Sequence, residues 1–280
     1  MSSDLIDRVV DQVFKERSLL KKLCFKGGAC SSCGNCDIPG AVKSATDAME
    51  MQVTKDISIT NMEARDIAAM IDHTLLKPCA TKNGVLKLCE EAKIYSFVSV
   101  CVNLCWVKTC SQVLRGSKVK ICSVVGFPFG ATSTEIKVAE TKQAISDGAT
   151  EIDMVINIGA LKSDNQNYVF DDIQQVASVC KQNGALLKVI IESGLLTDEE
   201  KIIACLITKK ANADFVKTST GFNCDGATVG DVALMRKVVG PNFGVKASGG
   251  IKTLEDALAM IRNGANRIGT SSGLKIISKK

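Results

Sequence analysis

Aromatic residues are scarce in this chain, 4% of 280 residues with one tryptophan and two tyrosines, and histidine occurs once, at His73. So few aromatics, with no basic stripe interleaved among them, exclude a stacking platform for single-stranded nucleic acid. The net charge of +5 is spread along the chain and gathers only weakly in the terminal "LKIISKK", so it gives no footprint for nucleic acid and suits a small anionic substrate better. No apolar run is long enough to span a bilayer, which argues against a membrane protein. The opening "MSSDLIDRVVDQVFKERSLL" carries acids and bases throughout, unlike a secretory signal, so a cytoplasmic protein is expected. The 13 cysteines fit that compartment if reduced: Cys101, Cys122 and Cys205 sit inside apolar segments, where a thiol behaves as a small hydrophobe.

What is present is a repeating alternation. From about residue 67, short apolar β-branched runs alternate with longer segments of helical period. The runs predict strands at 67–74, 96–103, 118–128, 150–157, 186–193, 213–220, 243–250 and 266–272. Between them lie helices with legible starts: Ser133 or Thr134 before "EIKVAETKQAISDG", Thr197 before "DEEKIIACLITKKANA", and Thr253 before "LEDALAMIRNGA". Eight near-continuous apolar strands, each followed by a helix, predict an α/β fold, a (β/α)8 TIM barrel. A doubly wound open sheet is the alternative, weakened because no "GxGxxG" turn follows an early strand. Residues 1–66 differ in character and are expected to form an N-terminal helical, cysteine-rich extension, in which "TNMEARDIAAMI" has the spacing of a short helix leading into the first strand, leaving 67–280 for the barrel.

In a closed parallel barrel the reacting groups come from the C-terminal ends of strands. Four polar residues stand out there against apolar strand bodies: Asp153 in "EIDMVIN", Lys188 in "LKVIIES", Lys217 in "DFVKTSTGF" and Lys246 in "GVKASGG". A buried lysine must be paired, reach solvent or lose its proton. Asp153 or Glu192 could pair any one of them structurally, but three converging lysines favour chemistry. An amine attacks a carbonyl only when neutral, and a second ammonium together with desolvation favours that form. A carboxylate such as Asp153 can then move protons. The pattern points to Schiff-base chemistry beside a carbonyl. "SGG" at 248–250 and "GTSSG" at 269–273 follow the last two strands, where such barrels commonly bind phosphate, and Ser271 and Ser272 are expected to open a helix whose dipole favours an anion. Tight turns alone are the alternative for either segment.

The segments "IDHTLLKP", "VCVNLCWV", "VVGFPFGATSTEIKVAET", "GATEIDMVINIGALKS", "LKVIIESGLL", "ADFVKTSTGF", "GVKASGGIKT" and "RIGTSSG" occur in the order in which deoxyribose-phosphate aldolases carry similar ones. By these the chain resembles that family across most of the barrel. The resemblance implies reversible cleavage of 2-deoxy-D-ribose 5-phosphate to D-glyceraldehyde 3-phosphate and acetaldehyde, in deoxyribonucleoside catabolism, with no cofactor and no metal. It implies Lys217 as the Schiff-base lysine, Lys246 as the lysine that perturbs it and Asp153 as the proton relay. Asp72 and Lys188 would support that relay, and Cys101 would stand beside the aldehyde pocket. Gly221, Gly249, Gly250, Gly269, Ser271 and Ser272 would bind the substrate's phosphate. A homodimer is a family-level expectation. Two departures follow: Phe222 stands where some members have a lysine, which removes a cationic phosphate contact. The terminal tyrosine of well-studied members has no counterpart in "LKIISKK" after Gly273, which leaves that proton transfer to water or the Asp153–Lys246 network, or slows turnover.

Two features stand outside that resemblance. Cys24, Cys30, Cys33 and Cys36 have spacing that could wrap zinc or an iron–sulfur cluster, act as redox thiols, or form a plain exposed loop. His73 is expected to make a structural hydrogen bond, since lysines supply the chemistry, and no Ser-His-Asp arrangement is available beyond it.

Overall fold

The computed structural model describes residues 62–278. The expected extension, including Cys24, Cys30, Cys33 and Cys36, lies outside the described residues except for its last five positions. A five-residue helix α1 (Ala64–Ala68) precedes strand β1 (Ile71–Leu75). This is the short helix expected before the first strand; it takes the place of the expected strand start at 67, because Asp66 accepts from the Glu63 amide at 2.9 Å and Ile67 and Ala68 enter the core from the helix.

Seven further strands follow, each leading into helix. They are β2 (Ser99–Val102), β3 (Lys120–Val125), β4 (Glu151–Val155), β5 (Leu186–Ile190), β6 (Phe215–Lys217), β7 (Gly244–Ser248) and β8 (Arg267–Thr270). The helices after β1 to β3 are α2 (Lys82–Ile94), α3 (Leu104–Val113) and α4 (Thr134–Ser146). After β4 come α5 (Ile158–Lys162) and α6 (Gln166–Gln182), and after β5 a 3-10 turn (Ser193–Leu195) and α7 (Asp198–Lys210). Helices α8 (Val229–Val239), α9 (Leu254–Arg262) and α10 (Gly273–Ile277) complete the ring. All strand pairs are parallel, and β8 returns to β1 to close the barrel. The fold is thus the (β/α)8 barrel that the alternation predicts, with every expected strand segment overlapping an observed one.

Local chemistry explains the elements. β2, β4 and β7 are buried at every position, as strands sandwiched between a barrel interior and a helical ring must be. Thr197 caps α7 through a reciprocal pair: its hydroxyl accepts from the Glu200 amide at 3.2 Å, and Glu200 accepts from the Thr197 amide at 2.8 Å. Thr253 and Asp256 repeat this at α9. At α4 Ser133 takes the cap position without a side-chain cap bond, and the Thr134 hydroxyl donates to Asp172 at 2.9 Å, beside the buried Lys137–Asp172 ion pair. Among the described residues no helix is long and apolar enough to cross a membrane.

The apolar core lies mainly between strands and helices, with Ile71, Val100, Ile152, Val189, Val216 and Ile268 facing outward from their strands. The barrel interior is different. Such interiors are usually filled by branched apolar side chains, but here ion pairs among Asp72, Glu151, Asp153, Lys188, Lys217, Lys246 and Arg267 cross the middle and mouth of the barrel.

Candidate active site

Lys217 is the last residue of β6, and its Cα partner across the ladder is Lys246 in the middle of β7. In-register neighbours project to the same face, so both ammonium groups enter the barrel side by side. Each reaches the same atom: Asp153 Oδ2 accepts from Lys217 Nζ at 2.8 Å and from Lys246 Nζ at 2.7 Å. Asp153 Oδ1 takes a third ammonium, Lys188, at 2.9 Å and the Cys122 thiol at 3.1 Å. The carboxylate is fully buried and joins three strands' lysines.

Below this shared carboxylate lies a second tier. Lys246 also donates to Asp72, which accepts from Ser99 at 2.7 Å and from Arg267 at 2.6 Å. Arg267 reaches Glu151 at 2.9 Å, and Lys188 reaches the same carboxylate at 2.6 Å. Lys188 and Asp153 therefore sit in the middle of their strands rather than at the tips, and Lys188 and Asp72, both fully buried, touch protein groups of the network. Glu151, Arg267, Ser99 and Cys122 are the members that sequence reasoning missed. Glu151 had a signal, since it precedes Asp153 by two in a strand and shares its face. Arg267 had one too, as a charge opening an apolar strand. The expected lysine partner Asp153 is used three times, whereas Glu192 pairs with none of these lysines.

The electrostatics follow from the contacts. Burial alone would raise the Asp153 carboxyl, but Lys188, Lys217 and Lys246 overcome it and hold it well below the usual carboxylate range. Asp72 behaves likewise, burial being outweighed by Lys246, Lys188 and Arg267. Burial opposes the ammonium of Lys246, yet Asp153 and Asp72 prevail and raise its pKa, so Lys246 keeps its proton at neutral pH. Lys188 is raised in the same way by Asp153 and its neighbours. Desolvation thus does not neutralise these two lysines, because the carboxylates supply more than burial removes. Four cationic groups face three carboxylates in this cluster.

Cys101 lies on β2 opposite Cys122 of β3, in a small apolar group with Leu76 and Val124 against which Phe127 packs. A hydrogen bond from Cys122 pulls the Cys101 thiol below its usual range against burial, while burial pushes Cys122 well above it. The two sulfurs and an Asp153 oxygen lie within 4.8 Å of one another, the one group among the described residues with a metal-ligand set. Asp153 already carries three ammonium contacts, a surrounding that repels a further cation. The nine described cysteines are unpaired. His73 turns to Glu91 of α2, with Nε2 2.7 Å from the carboxylate, and packs on Phe97.

The expected anion-binding positions gather at the same mouth. Gly221 follows β6, Gly249 and Gly250 follow β7, and Ser271 and Ser272 follow β8. Gly221, Gly249 and Gly250 all have positive φ, and a Cβ on Gly249 would stand 2.7 Å from Gly226 Cα, so two loops touch backbone to backbone. The amides of these three glycines donate to no acceptor among the described residues. Gly269 is placed differently: it lies within β8, and an added Cβ would come within 2.8 Å of Ser248 Cβ and 3.0 Å of Lys246 Cε. Its missing side chain makes room for Lys246. Phe222 is half exposed and meets Phe127 edge to face at 5.3 Å, so the loops after β3 and β6 share an aromatic contact at the rim.

A parallel barrel with a tight set of ionisable groups opening at its C-terminal mouth is an enzyme architecture. Comparison with known proteins says which kind. Residues 67–279 match the family model described as DeoC/LacD family aldolase. A protein of a Geobacillus species named deoxyribose-phosphate aldolase is 60% identical over 215 residues, covering 77% of this chain and 96% of that one. One of the same name from Thermococcus gammatolerans is 60% identical over 218 residues, 77% and 97% of the two chains. The solved structure of the tetrameric deoxyribose phosphate aldolase of Aeropyrum pernix superposes with a TM-score of 0.73 at 32% identity, over 85% of this chain and 95% of that one. The chain belongs to the DeoC/LacD family of aldolases.

Proposed function

We propose that the protein is a class I aldolase that reversibly cleaves 2-deoxy-D-ribose 5-phosphate to D-glyceraldehyde 3-phosphate and acetaldehyde through a Schiff base on Lys217. The observation that carries this reading is the geometry at one oxygen: the amine at the end of β6 and that of Lys246 meet at Asp153 Oδ2. Lys246, held charged by Asp72 and Asp153, places a permanent positive charge beside Lys217. The cluster holds one more cation than carboxylates, and a lysine attacks a carbonyl only as the neutral amine.

In that state Lys217 Nζ adds to the C1 aldehyde of the open-chain sugar. The carbinolamine loses water to give an iminium, which withdraws electrons from C2. Removal of the proton on the C3 hydroxyl breaks the C2–C3 bond, releases glyceraldehyde 3-phosphate and leaves the enamine of acetaldehyde. Protonation at C2 and hydrolysis return the amine. Asp153 is the nearest carboxylate to Nζ and stays ionised while all three lysines hold it. Loss of charge at Lys217 weakens that hold and lets Asp153, with Lys246 behind it, accept and return protons through a bound water. The free amides of Gly221, Gly249 and Gly250 support phosphate binding, with Ser271 and Ser272 beside them. The resemblance to aldolases of this name at 60% identity supports the same substrate. Unpaired thiols among the described residues support a reducing compartment, the cytoplasm, and the relatives' name supports a role in deoxyribonucleoside catabolism.

Incubation with acetaldehyde and borohydride, followed by peptide mapping, tests the reading. The reduced two-carbon adduct is expected on Lys217; active protein with no adduct there would refute the mechanism.

A further inference from the structure

Glu192 is a buried carboxylate to which no lysine or arginine is paired among the described residues. It also has left-handed backbone, φ 53° and ψ 60°, a conformation that L-residues other than glycine adopt rarely and at a cost. A buried acidic side chain without a basic partner and a strained backbone persist together only where the surroundings determine both. Here the surroundings are one loop. Glu192 accepts from the Thr220 amide at 3.0 Å, the Thr220 hydroxyl at 2.5 Å, the Asn223 amide group at 2.9 Å and the Cys224 thiol at 3.6 Å.

All four donors belong to residues 220–224, which leave β6 three positions after Lys217. Asn223 donates a second hydrogen to the Pro128 carbonyl at 2.9 Å, fastening this loop to the one after β3. At its far end the loop is pinned to the β7 turn, where the Ala227 amide donates to the Ser248 and Gly249 carbonyls. Gly221 lies between the two pins, with its amide free and its φ at +81°. The carboxylate thus fixes the course of the loop that presents Gly221 opposite Gly249.

We propose that Glu192 is a positioning residue for the substrate's phosphate: it shapes the 220–224 loop so that the amides of Gly221, Gly249 and Gly250 converge on one anion. It acts through the loop and not on the reacting carbon, so it governs preference for phosphorylated over unphosphorylated sugar. This rests on the phosphate reading given above. It adds the residue that builds the cradle.

The test compares the wild-type protein with Glu192→Gln and Asn223→Ala. The glutamine keeps the size but replaces one acceptor oxygen with a donor facing donors, and Asn223→Ala cuts one strap if the first variant fails to fold. Three readouts are taken: KM and kcat for 2-deoxyribose 5-phosphate, the same for 2-deoxyribose, and Kd for inorganic phosphate alone. For Glu192→Gln, KM for the phosphorylated sugar and Kd for phosphate are expected to rise about tenfold, the loss of roughly one charge-assisted hydrogen bond's worth of organisation. The kcat for 2-deoxyribose should change by no more than about twofold. Asn223→Ala should move the same quantities in the same direction by less. Equal losses on both sugars, or unchanged phosphate binding in both variants, would overturn the proposal. Phosphate binding does not pass through Lys217, so failure of the Schiff-base reading would show separately, in borohydride trapping.

Discussion

Asp153→Asn is the perturbation that bears most directly on the barrel's charge arrangement. Asp153 accepts from Lys188 at 2.9 Å, Lys217 at 2.8 Å, Lys246 at 2.7 Å and Cys122 at 3.1 Å, all in a fully buried setting. Asparagine keeps the shape but leaves four cations facing only Asp72 and Glu151, and turns two donors towards ammonium groups. Removing one partner of a buried ion pair costs about 3–5 kcal/mol. At about 2–4 °C per kcal/mol for a domain of this size, melting should fall by roughly 10 °C at pH 7. The deficit comes from uncompensated positive charge, so it should shrink as pH is raised towards about 10, where an amine of the variant can shed its proton. Urea unfolding of variant and wild type at several pH values measures this, and borohydride trapping with acetaldehyde should slow by about a hundredfold. A variant within about 1 kcal/mol of wild type at pH 7, or one whose deficit is the same at pH 7 and 10, would refute the reasoning.

The wild type has its own pH limits. Asp72 and Asp153 are depressed in the folded state, so their stabilisation is full above the unfolded value of about 3.9 and is lost as pH falls below it. Lys246 is raised, so its contribution is full below about 10.4 and is lost as pH rises through the folded value; a melting temperature that is flat across both limits would contradict this. Gly269→Ala forces a methyl against Lys246 Cε and Ser248 Cβ and should destabilise by about 1–3 kcal/mol, with acetaldehyde trapping reduced because Lys246 is displaced. Melting and trapping both at wild-type levels would show that the space beside Lys246 is not needed. Thr197→Ala removes the α7 cap, whose bonds run to Glu200 and not to the charged network, and should cost about 1 kcal/mol in urea unfolding while leaving kcat unchanged.

The strands and most caps were legible because short, near-continuous apolar β-branched runs and Thr-x-x-acid spacing are local signals. Lys217, Lys246 and Asp153 were legible for a related reason: a charge inside an apolar strand is conspicuous. Their heights in the barrel were not. Lys188 reads like a tip residue, but the strand continues two residues beyond it, and only pairing with β4 and β6 sets its level. Arg267 and Asp72 meet across 195 positions of sequence, a contact that neither segment announces. Glu192 looks like a partner for a lysine; its left-handed backbone turns it instead to Thr220 and Asn223. Ser133 has the composition of a cap, but the useful hydroxyl beside it goes to Asp172.

The charged interior has a consequence for how the barrel closes. An apolar core tolerates strands that slide, since one branched side chain replaces another. Here β5 moved by two residues would put Leu186 or Ile190 where Lys188 stands and leave Glu151 and Asp153 short of a cation. β8 moved by two would withdraw Arg267 from both Asp72 and Glu151. A misaligned barrel therefore carries unmatched buried charge, and the ion pairs that set up the lysines also act as a proofreading lock on strand register.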